Sequence, residues 1–178
     1  MLFRSVELTA EIADGWIPIL FIPEHAKKVW GDPLAAGTAK RDPHLGNLMV
    51  KAGGLLAIGE GDDILRLRNI QRSMIALYVG GMGAKGKNFY NELAIRYGFE
   101  KEAEVIQDLY LDGKKREAEA AVPDEFLELT TLIGPKSYVA ERVAAFKEAG
   151  VTHLDVHPLP QLGQTNAELI GLVKEMAR

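Results

Sequence analysis

Hydrophobic positions along the chain fall alternately into short continuous runs and into helical spacings. The continuous runs are residues 16–21 (WIPILF), 47–58 (NLMVKAGGLLAI), 130–133 (TTLI) and 152–157 (THLDVH). Such runs are typical of strands in a parallel sheet, and the residues after each run carry apolar positions three to four apart, the period of a helix. The pattern predicts four strand–helix units and therefore a parallel α/β sheet.

Two features qualify this pattern. Pro18 interrupts the first predicted strand, and proline cannot donate to a ladder. Gly53 and Gly54 interrupt the second strand, which indicates either a bulge or a close approach of another backbone. A helix is expected to start near Pro23, and residues 31–43 read as a loop with a short helix because they are rich in proline and glycine.

A long helical section separates the second and third predicted strands. The period predicts a helix over residues 62–80, capped by Asp62 or Asp63 and ended by Gly80. Three more helical patches follow before residue 130, and none contains a strand pattern. We therefore expect one domain over residues 1–178 with a helical insertion at residues 80–128.

The glycine loop, from Gly81 to Lys87 (GMGAKGK), is the least generic stretch of the chain. With Asn88 it fits the phosphate-loop pattern G-x-x-x-x-G-K except at the last position, where a Ser or Thr would ligate Mg²⁺. A phosphate loop follows a strand, however, and the segment before this loop has a helical period. A solvated, flexible linker fits the local pattern better.

Composition and charge narrow the class of protein. With 47% hydrophobic and 26% charged residues and a net charge of −4, the chain has the composition of an ordinary globular protein. Its lysines and arginines are scattered, which disfavours nucleic-acid binding. The absence of cysteine excludes disulfides and thiol chemistry. We see no segment long enough to cross a membrane and no signal peptide, so we expect a cytoplasmic protein.

Three stretches resemble the luciferase-like monooxygenase superfamily, and within it the oxidoreductases that use the deazaflavin coenzyme F420. They are residues 7–24 (ELTAEIADGWIPILFIPE), residues 76–126, which begin ALYVGGMGAKGKNFYNEL, and residues 132–156 (LIGPKSYVAERVAAFKEAGVTHLDV). The resemblance extends over about residues 6–158. It implies a (β/α)8 barrel with the deazaflavin at the carboxyl mouth of the strands. It also implies hydride transfer between that coenzyme, or FMN as the alternative, and a small organic substrate.

Only half of such a barrel has a counterpart in this sequence. Four units match the C-terminal half, whereas a complete barrel normally needs about 250 residues. The resemblance places much of the active site in the first four units, so we expect impaired or no independent activity. Completion by a missing N-terminal half or by a second copy would cover the open edges. A small open sheet is the alternative architecture.

The first residues do not fit the pattern that follows. Residues 2–5 (LFRS) match one reading frame of a common sequencing-adapter end. We therefore expect a non-native leader at residues 1–5. The reading frame would then be a truncated assembly product whose native sequence starts near Val6.

Candidate substrate-lining residues lie on the last predicted strand. His153, Asp155 and His157 alternate along one face, and His157 lies nearest the carboxyl end. We predict that His157 and Asp155 line a substrate site, the alternative being a hydrogen-bonded core or rim histidine. The spacing H-x-D-x-H lacks a third ligand, so we predict no metal. Lys51, in a predicted buried strand, needs a partner or the barrel lumen.

Candidate cofactor-binding residues are cationic. The resemblance implies a coenzyme with a phosphodiester and an oligoglutamate tail, and Lys85, Lys87 and Arg41 could neutralise those anions. Lys51 is a weaker candidate of this kind, and Trp16 is expected to be a core residue. No nucleophile–base pair or paired carboxylates point to hydrolysis, and catalytic residues stay unassigned. The alternative function is a small non-catalytic α/β module or a nucleotide binder that uses the glycine loop.

Overall fold

One long strand organises the sheet, because the other three strands all pair with it. The computed structural model of the protein describes residues 3–178. The strands are β1 (Gly15–Trp16), β2 (Met49–Ile58), β3 (Leu132–Gly134) and β4 (His153–Pro158). The helices are α1 (Arg4–Ile12), α2 (Ala26–Thr38), α3 (Asp62–Arg66), α4 (Arg72–Ala76), α5 (Phe89–Arg96), α6 (Glu100–Leu111), α7 (Lys115–Ala120), α8 (Asp124–Leu129), α9 (Lys136–Glu148) and α10 (Asn166–Met176).

The described residues form two compact units. The sheet unit comprises the chain up to Leu67 together with Thr130–Arg178, and it contains all four strands. The helical unit is Arg68–Leu129 and holds α4 to α8. The sequence predicts an insertion over residues 80–128. The helical unit of the structure starts twelve residues earlier, at Arg68, within the helical run that follows β2.

All strand pairs are parallel, which confirms the predicted class of sheet. The amino end of β2 pairs with β1, its middle with β4 and its carboxyl end with β3. Within the described chain β3 and β4 each pair with β2 and not with each other. In a continuous barrel segment consecutive strands are neighbours, so this order differs from the one that a C-terminal half-barrel would have.

Two glycines permit the close contacts of β2. A Cβ atom on Gly53 would lie 1.8 Å from the carbonyl oxygen of Asp155, and one on Gly54 would lie 2.5 Å from that of Thr130. Both distances are far shorter than a van der Waals contact. The two glycines therefore reflect a close approach of neighbouring backbone, and the strand runs through them without interruption.

The first strand is shorter than predicted. Only Gly15 and Trp16 are paired, and the prediction of a strand through residue 21 was wrong beyond that point. Pro18 cannot donate a ladder hydrogen bond, and Leu20 has a left-handed backbone with φ of 57°. Phe21 and Ile22 are nevertheless buried, so the apolar run packs into the core as an irregular segment.

Helix α2 is longer than predicted. A short 3₁₀ turn at Pro23–His25 leads into Ala26–Thr38, which includes Pro33 and replaces the expected loop over residues 31–38. Proline inside a helix removes one backbone hydrogen bond. Tertiary packing compensates for this loss, because Val29 and Trp30 are buried and α1 packs along α2.

Two helices pack against the sheet and build the larger core. Helices α9 and α10 contact β2, and they contact β3 and β4 respectively. Each contributes aliphatic or aromatic side chains that are almost fully buried, namely Val139, Val143, Phe146, Leu169 and Val173. A capping box between Thr165 and Glu168 starts α10.

The helical unit has an aromatic core of its own. Phe99 and Phe126 stack with their ring centroids 4.8 Å apart, and Leu93, Ala103 and Ile106 are buried. The helical run that enters this unit changes type along its length, from α3 through the 3₁₀ segment Leu67–Gln71 and α4 to a π-helical turn at Leu77–Gly81. The run ends one residue beyond the predicted stop at Gly80. None of the described helices is both long and apolar enough to cross a membrane.

The packing of α1 on α2 depends on Gly37. A Cβ atom at this position would lie 2.1 Å from the carbonyl oxygen of Glu7 and 2.7 Å from Cβ of Ala10. We expect Gly37→Ala to lower the free energy of unfolding by about 1–3 kcal/mol, because the two helices must move apart. Urea denaturation followed by circular dichroism would measure it.

Gly31→Ala on the same helix is the matched control. Its nearest neighbour would be Cγ of Lys27 at 3.9 Å, an ordinary contact. Alanine is the better helix former, so the control should be neutral or stabilising by up to about 1 kcal/mol. Equal losses of stability in the two variants would contradict the proposed helix contact.

Candidate functional site

A polar cluster lies on one face of the sheet, where β2 and β4 run side by side. The register places Lys51 opposite His153, Gly53 opposite Asp155 and Leu55 opposite His157, so these side chains share a face. Lys51 Nζ lies 3.3 Å from Asp155 Oδ2, and His157 Nε2 lies 3.7 Å from the same oxygen. The structure therefore brings Lys51, Asp155 and His157 together around one carboxylate oxygen.

The surroundings of this cluster differ along the strands. Toward the carboxyl ends the neighbouring residues are apolar: Ala57, Ile64 and Ile133 form a buried cluster, flanked by Leu55, Leu67 and Leu159. The cluster itself is open, with 64% of the His157 side chain and 32% of the Asp155 side chain exposed. An imidazole this exposed can meet a solute.

The sequence predicts that Lys51, in a strand, needs a partner for its charge, and the structure provides one. The Lys51 side chain is 41% exposed and its ammonium group pairs with Asp155 across the two strands, so the charge is neither buried nor unpaired. His153, at the amino end of β4, instead makes a 3.0 Å contact between its Nδ1 and the hydroxyl of Thr152. Asp155 thus links Lys51 and His157, and the contact of His153 lies apart from this group.

No metal site accompanies these residues. Within residues 3–178 no group of three or more His, Asp or Glu side chains has the arrangement to hold an ion.

Arg41 occupies a structural position in the sheet unit. Its guanidinium group donates to the carbonyl oxygens of Ala13 at 2.7 Å, Ala10 at 3.0 Å and Gly46 at 2.7 Å. These hydrogen bonds tie the end of α1 to the loop before β2. Coenzyme binding by Arg41 would have to compete with them, and that role stays a prediction.

The glycine loop follows a helix and precedes a helix. The π-helical turn Leu77–Gly81 leads into it, and α5 begins at Phe89. A phosphate loop must join a strand to a helix. The interpretation of this loop as a phosphate loop was therefore wrong, and the reason is the helical segment that the sequence period had indicated.

Contacts from α6 hold the glycine loop in place. The side chain of Tyr110 lies against Gly80 and Gly81: a Cβ atom on Gly80 would lie 2.5 Å from Cβ of Tyr110, and one on Gly81 would lie 2.5 Å from its ring atom Cε1. The amide of Gln107 donates to the carbonyl oxygen of Gly83, and Lys85 forms an ion pair with Asp108. The interpretation as a flexible linker does not account for these contacts.

Lys85 and Lys87 are both exposed on this loop. The hydrogen bond to Asp108 raises the pKa of Lys85 above its ordinary value, so the side chain carries its charge at neutral pH. A ligand with an anionic tail would have to compete with Asp108 for Lys85. The two lysines belong to the helical unit, whereas Arg41, Asp155 and His157 belong to the sheet unit.

Two asparagines were overlooked by the sequence reasoning. The Asn88 side chain accepts from the backbone N–H groups of Tyr90 and Asn91 and so caps α5. Its amide donates to the carbonyl oxygens of Tyr78 at 3.0 Å and Val79 at 2.9 Å. The signal was present in the sequence, since an asparagine directly before a helical pattern is a capping residue.

The second asparagine, Asn91, completes this arrangement. Its side-chain amide donates to the carbonyl oxygens of Val79 and Ala103 at 3.2 and 2.8 Å. Val79 lies in the π-helical turn and Ala103 lies in α6, so Asn91 links these two segments. Asn88 and Asn91 therefore fix the backbone from which the glycine loop emerges.

Fold and sequence together define the class of this protein. The chain forms a parallel β/α sheet, and its helical unit follows the second strand and precedes the third strand in the sequence. The sequence profile of the luciferase-like monooxygenase family matches residues 3–153. The chain belongs to the luciferase-like monooxygenase family.

Individual relatives agree with this assignment. A Mycobacterium tuberculosis protein named as a coenzyme F420-dependent oxidoreductase is 29% identical over 153 residues, which is 86% of this chain and 44% of the relative. The solved structure of the coenzyme F420-dependent tetrahydromethanopterin reductase from Methanopyrus kandleri is similar in fold, with a TM-score of 0.63 and 21% identity. That match covers 96% of this chain and 46% of the reductase. This chain thus spans about half the length of either relative.

Replacing Arg41 separates its structural role from a role in coenzyme binding. We expect Arg41→Ala to lower the free energy of unfolding by about 1–3 kcal/mol, because carbonyl groups at the end of α1 lose their donors. Chemical denaturation would measure the loss.

Arg66→Ala serves as the control for Arg41. Arg66 pairs with the exposed carboxylate of Asp63 at 2.9 Å, and its removal should change stability by no more than about 0.5 kcal/mol. An Arg41 variant with unchanged stability but weakened coenzyme binding would restore the cofactor assignment.

Proposed function

We propose that this chain is part of an oxidoreductase that transfers a hydride between coenzyme F420 and a small organic substrate. The observation that supports this most is the match of the luciferase-like monooxygenase profile to residues 3–153. The names of both relatives add to it, because each is described as dependent on coenzyme F420. FMN is the alternative coenzyme.

The cationic residues of the glycine loop suit an anionic coenzyme. Lys85 and Lys87 project from a loop whose backbone is held by α6 and by Asn88, so little ordering would be needed on binding. They would neutralise the phosphodiester or the carboxylates of the tail. Coenzyme F420, when bound, supplies the hydride chemistry, and the protein positions it and excludes water.

The polar cluster on the sheet would face the substrate. Lys51 pairs with Asp155, and His157 lies next to the same carboxylate. In this arrangement His157 donates a hydrogen bond to a polar atom of the substrate. The neighbouring apolar residues, including Leu55 and Leu159, would pack against its carbon skeleton.

We also propose that the chain corresponds to the C-terminal half of a (β/α)8 barrel. In support, it spans 44% and 46% of the two relatives, and its sheet is parallel throughout. Completion would come from a missing N-terminal half or from a second copy. In a closed barrel β4 would lie beside β3, so completion would require β4 to leave its present pairing with β2. For that reason we expect impaired activity from the chain alone.

A non-catalytic α/β module is the second candidate function. It is favoured by the small parallel sheet and by the open position of the polar cluster. Nucleotide binding through a phosphate loop is not part of this candidate, because the glycine loop follows a helix.

Titration with coenzymes distinguishes these functions. We expect coenzyme F420 to bind, with its own fluorescence as the readout, and ATP–Mg²⁺ not to bind. Replacing Lys85 and Lys87 together by methionine should weaken F420 binding by about tenfold, because two exposed counter-charges are lost.

Lys101→Met is the matched control for the lysine pair. Lys101 is exposed on α6 in the same helical unit, outside the glycine loop, and its loss should leave F420 binding unchanged. Binding of FMN in place of F420 would move the assignment to a flavin enzyme. Binding of neither coenzyme would favour the non-catalytic module, and binding of ATP–Mg²⁺ alone would refute the proposed function.

A further inference from the structure

A cleft of about 510 Å³ opens at the amino ends of the strands in the sheet unit. Trp16 of β1, Val50 of β2 and Gly150, just before β4, lie along it, and α2, α9 and the segment at residues 21–24 contribute further walls. The volume lies within the range of small-molecule sites. None of the residues assigned to the proposed oxidoreductase function lines this cleft.

Aromatic rings form one wall of the cleft. Trp16 meets Trp30 edge-to-face with centroids 5.2 Å apart, and it meets Phe21 in the same way at 6.2 Å. Trp16 is partly exposed, whereas Trp30 and Phe21 are buried. Mutual packing of this kind fixes the ring planes, so the wall is formed before any ligand arrives.

One carboxylate at the rim of the cleft, that of Glu148, can meet a cation. Glu24 and Glu148 line the cleft together with Lys27. The buried guanidinium of Arg142 pairs with Glu24 and compensates its charge. No ion pair of Glu148 is found within residues 3–178. Glu148 is also the last residue of α9, where the helix dipole places partial negative charge.

We propose that this cleft binds a small organic cation, an ammonium group carrying apolar substituents. The apolar substituents would pack against the indole of Trp16, whose ring face attracts positive charge. Glu148 and the end of α9 would supply the counter-charge. A neutral molecule of the same shape would keep the packing and lose the electrostatic attraction, and this difference makes the proposal testable.

The tryptophans provide a direct readout. Trp16 and Trp30 are the two tryptophans of the chain and both line the cleft, so intrinsic fluorescence reports on its occupancy. Choline and its neutral isostere 3,3-dimethylbutan-1-ol form a matched pair of probes. We expect choline to change the emission saturably and the alcohol to bind at least about fivefold more weakly.

Variants of the acidic rim complete the test. Glu148→Gln should weaken choline binding by about fivefold, because it removes one charge and preserves the shape. Glu141→Gln is the control, since Glu141 lies exposed on the same helix and does not line the cleft. Ala145→Phe should block the cleft and abolish binding, with cooperative unfolding as proof that the variant folds.

Several results would overturn the proposal. Equal affinities for choline and the alcohol would mean that charge is not recognised. Unchanged choline binding in Glu148→Gln would remove the proposed counter-charge, and no saturable change with either probe would mean that the cleft does not take this class of ligand. The measurements need no coenzyme, so their outcome is independent of the proposed oxidoreductase function.

Discussion

The backbone hydrogen bonds of β2 are the constraint on which the sheet depends. Three strands pair with this one strand, and it can accept them closely only because Gly53 and Gly54 carry no side chain. The same close pairing with β4 sets the register that places Lys51 beside Asp155. The polar cluster is therefore a consequence of backbone geometry, because the strand pairing brings Lys51 to two residues of β4 that lie about a hundred positions further along the chain.

The helical unit shows how a motif can mislead when its context is ignored. The residues of the glycine loop match a phosphate-binding pattern at all but its last position. A π-helical turn precedes the loop, however, and Asn88 caps the helix that follows. Gly80 and Gly81 allow close packing, because the side chain of Tyr110 occupies the space that a Cβ atom would need at either position. The two loop lysines keep a chemical role in our proposal because they are exposed cations on a backbone fixed by neighbouring contacts.

Family membership and structure contribute different kinds of information. The luciferase-like monooxygenase profile establishes the family, whereas the structure shows which of the predicted site residues are exposed. The side chains of His157 and Asp155 lie on an exposed face of the sheet. The guanidinium group of Arg41, in contrast, already donates hydrogen bonds to carbonyl oxygens at the end of α1. This chain spans about half the length of each of the two relatives.

The sequence by itself determined the β/α alternation, the parallel sheet, most helix positions and the shared face of Asp155 and His157, because periodicity and capping are local signals. Only the tertiary structure decided the early end of β1, the continuation of α2 through Pro33, the pairing of β4 with β2 and the hydrogen-bond partners of Arg41. These features depend on contacts between residues far apart in the chain. Local propensity carries no information about such contacts, and their packing free energy can outweigh it.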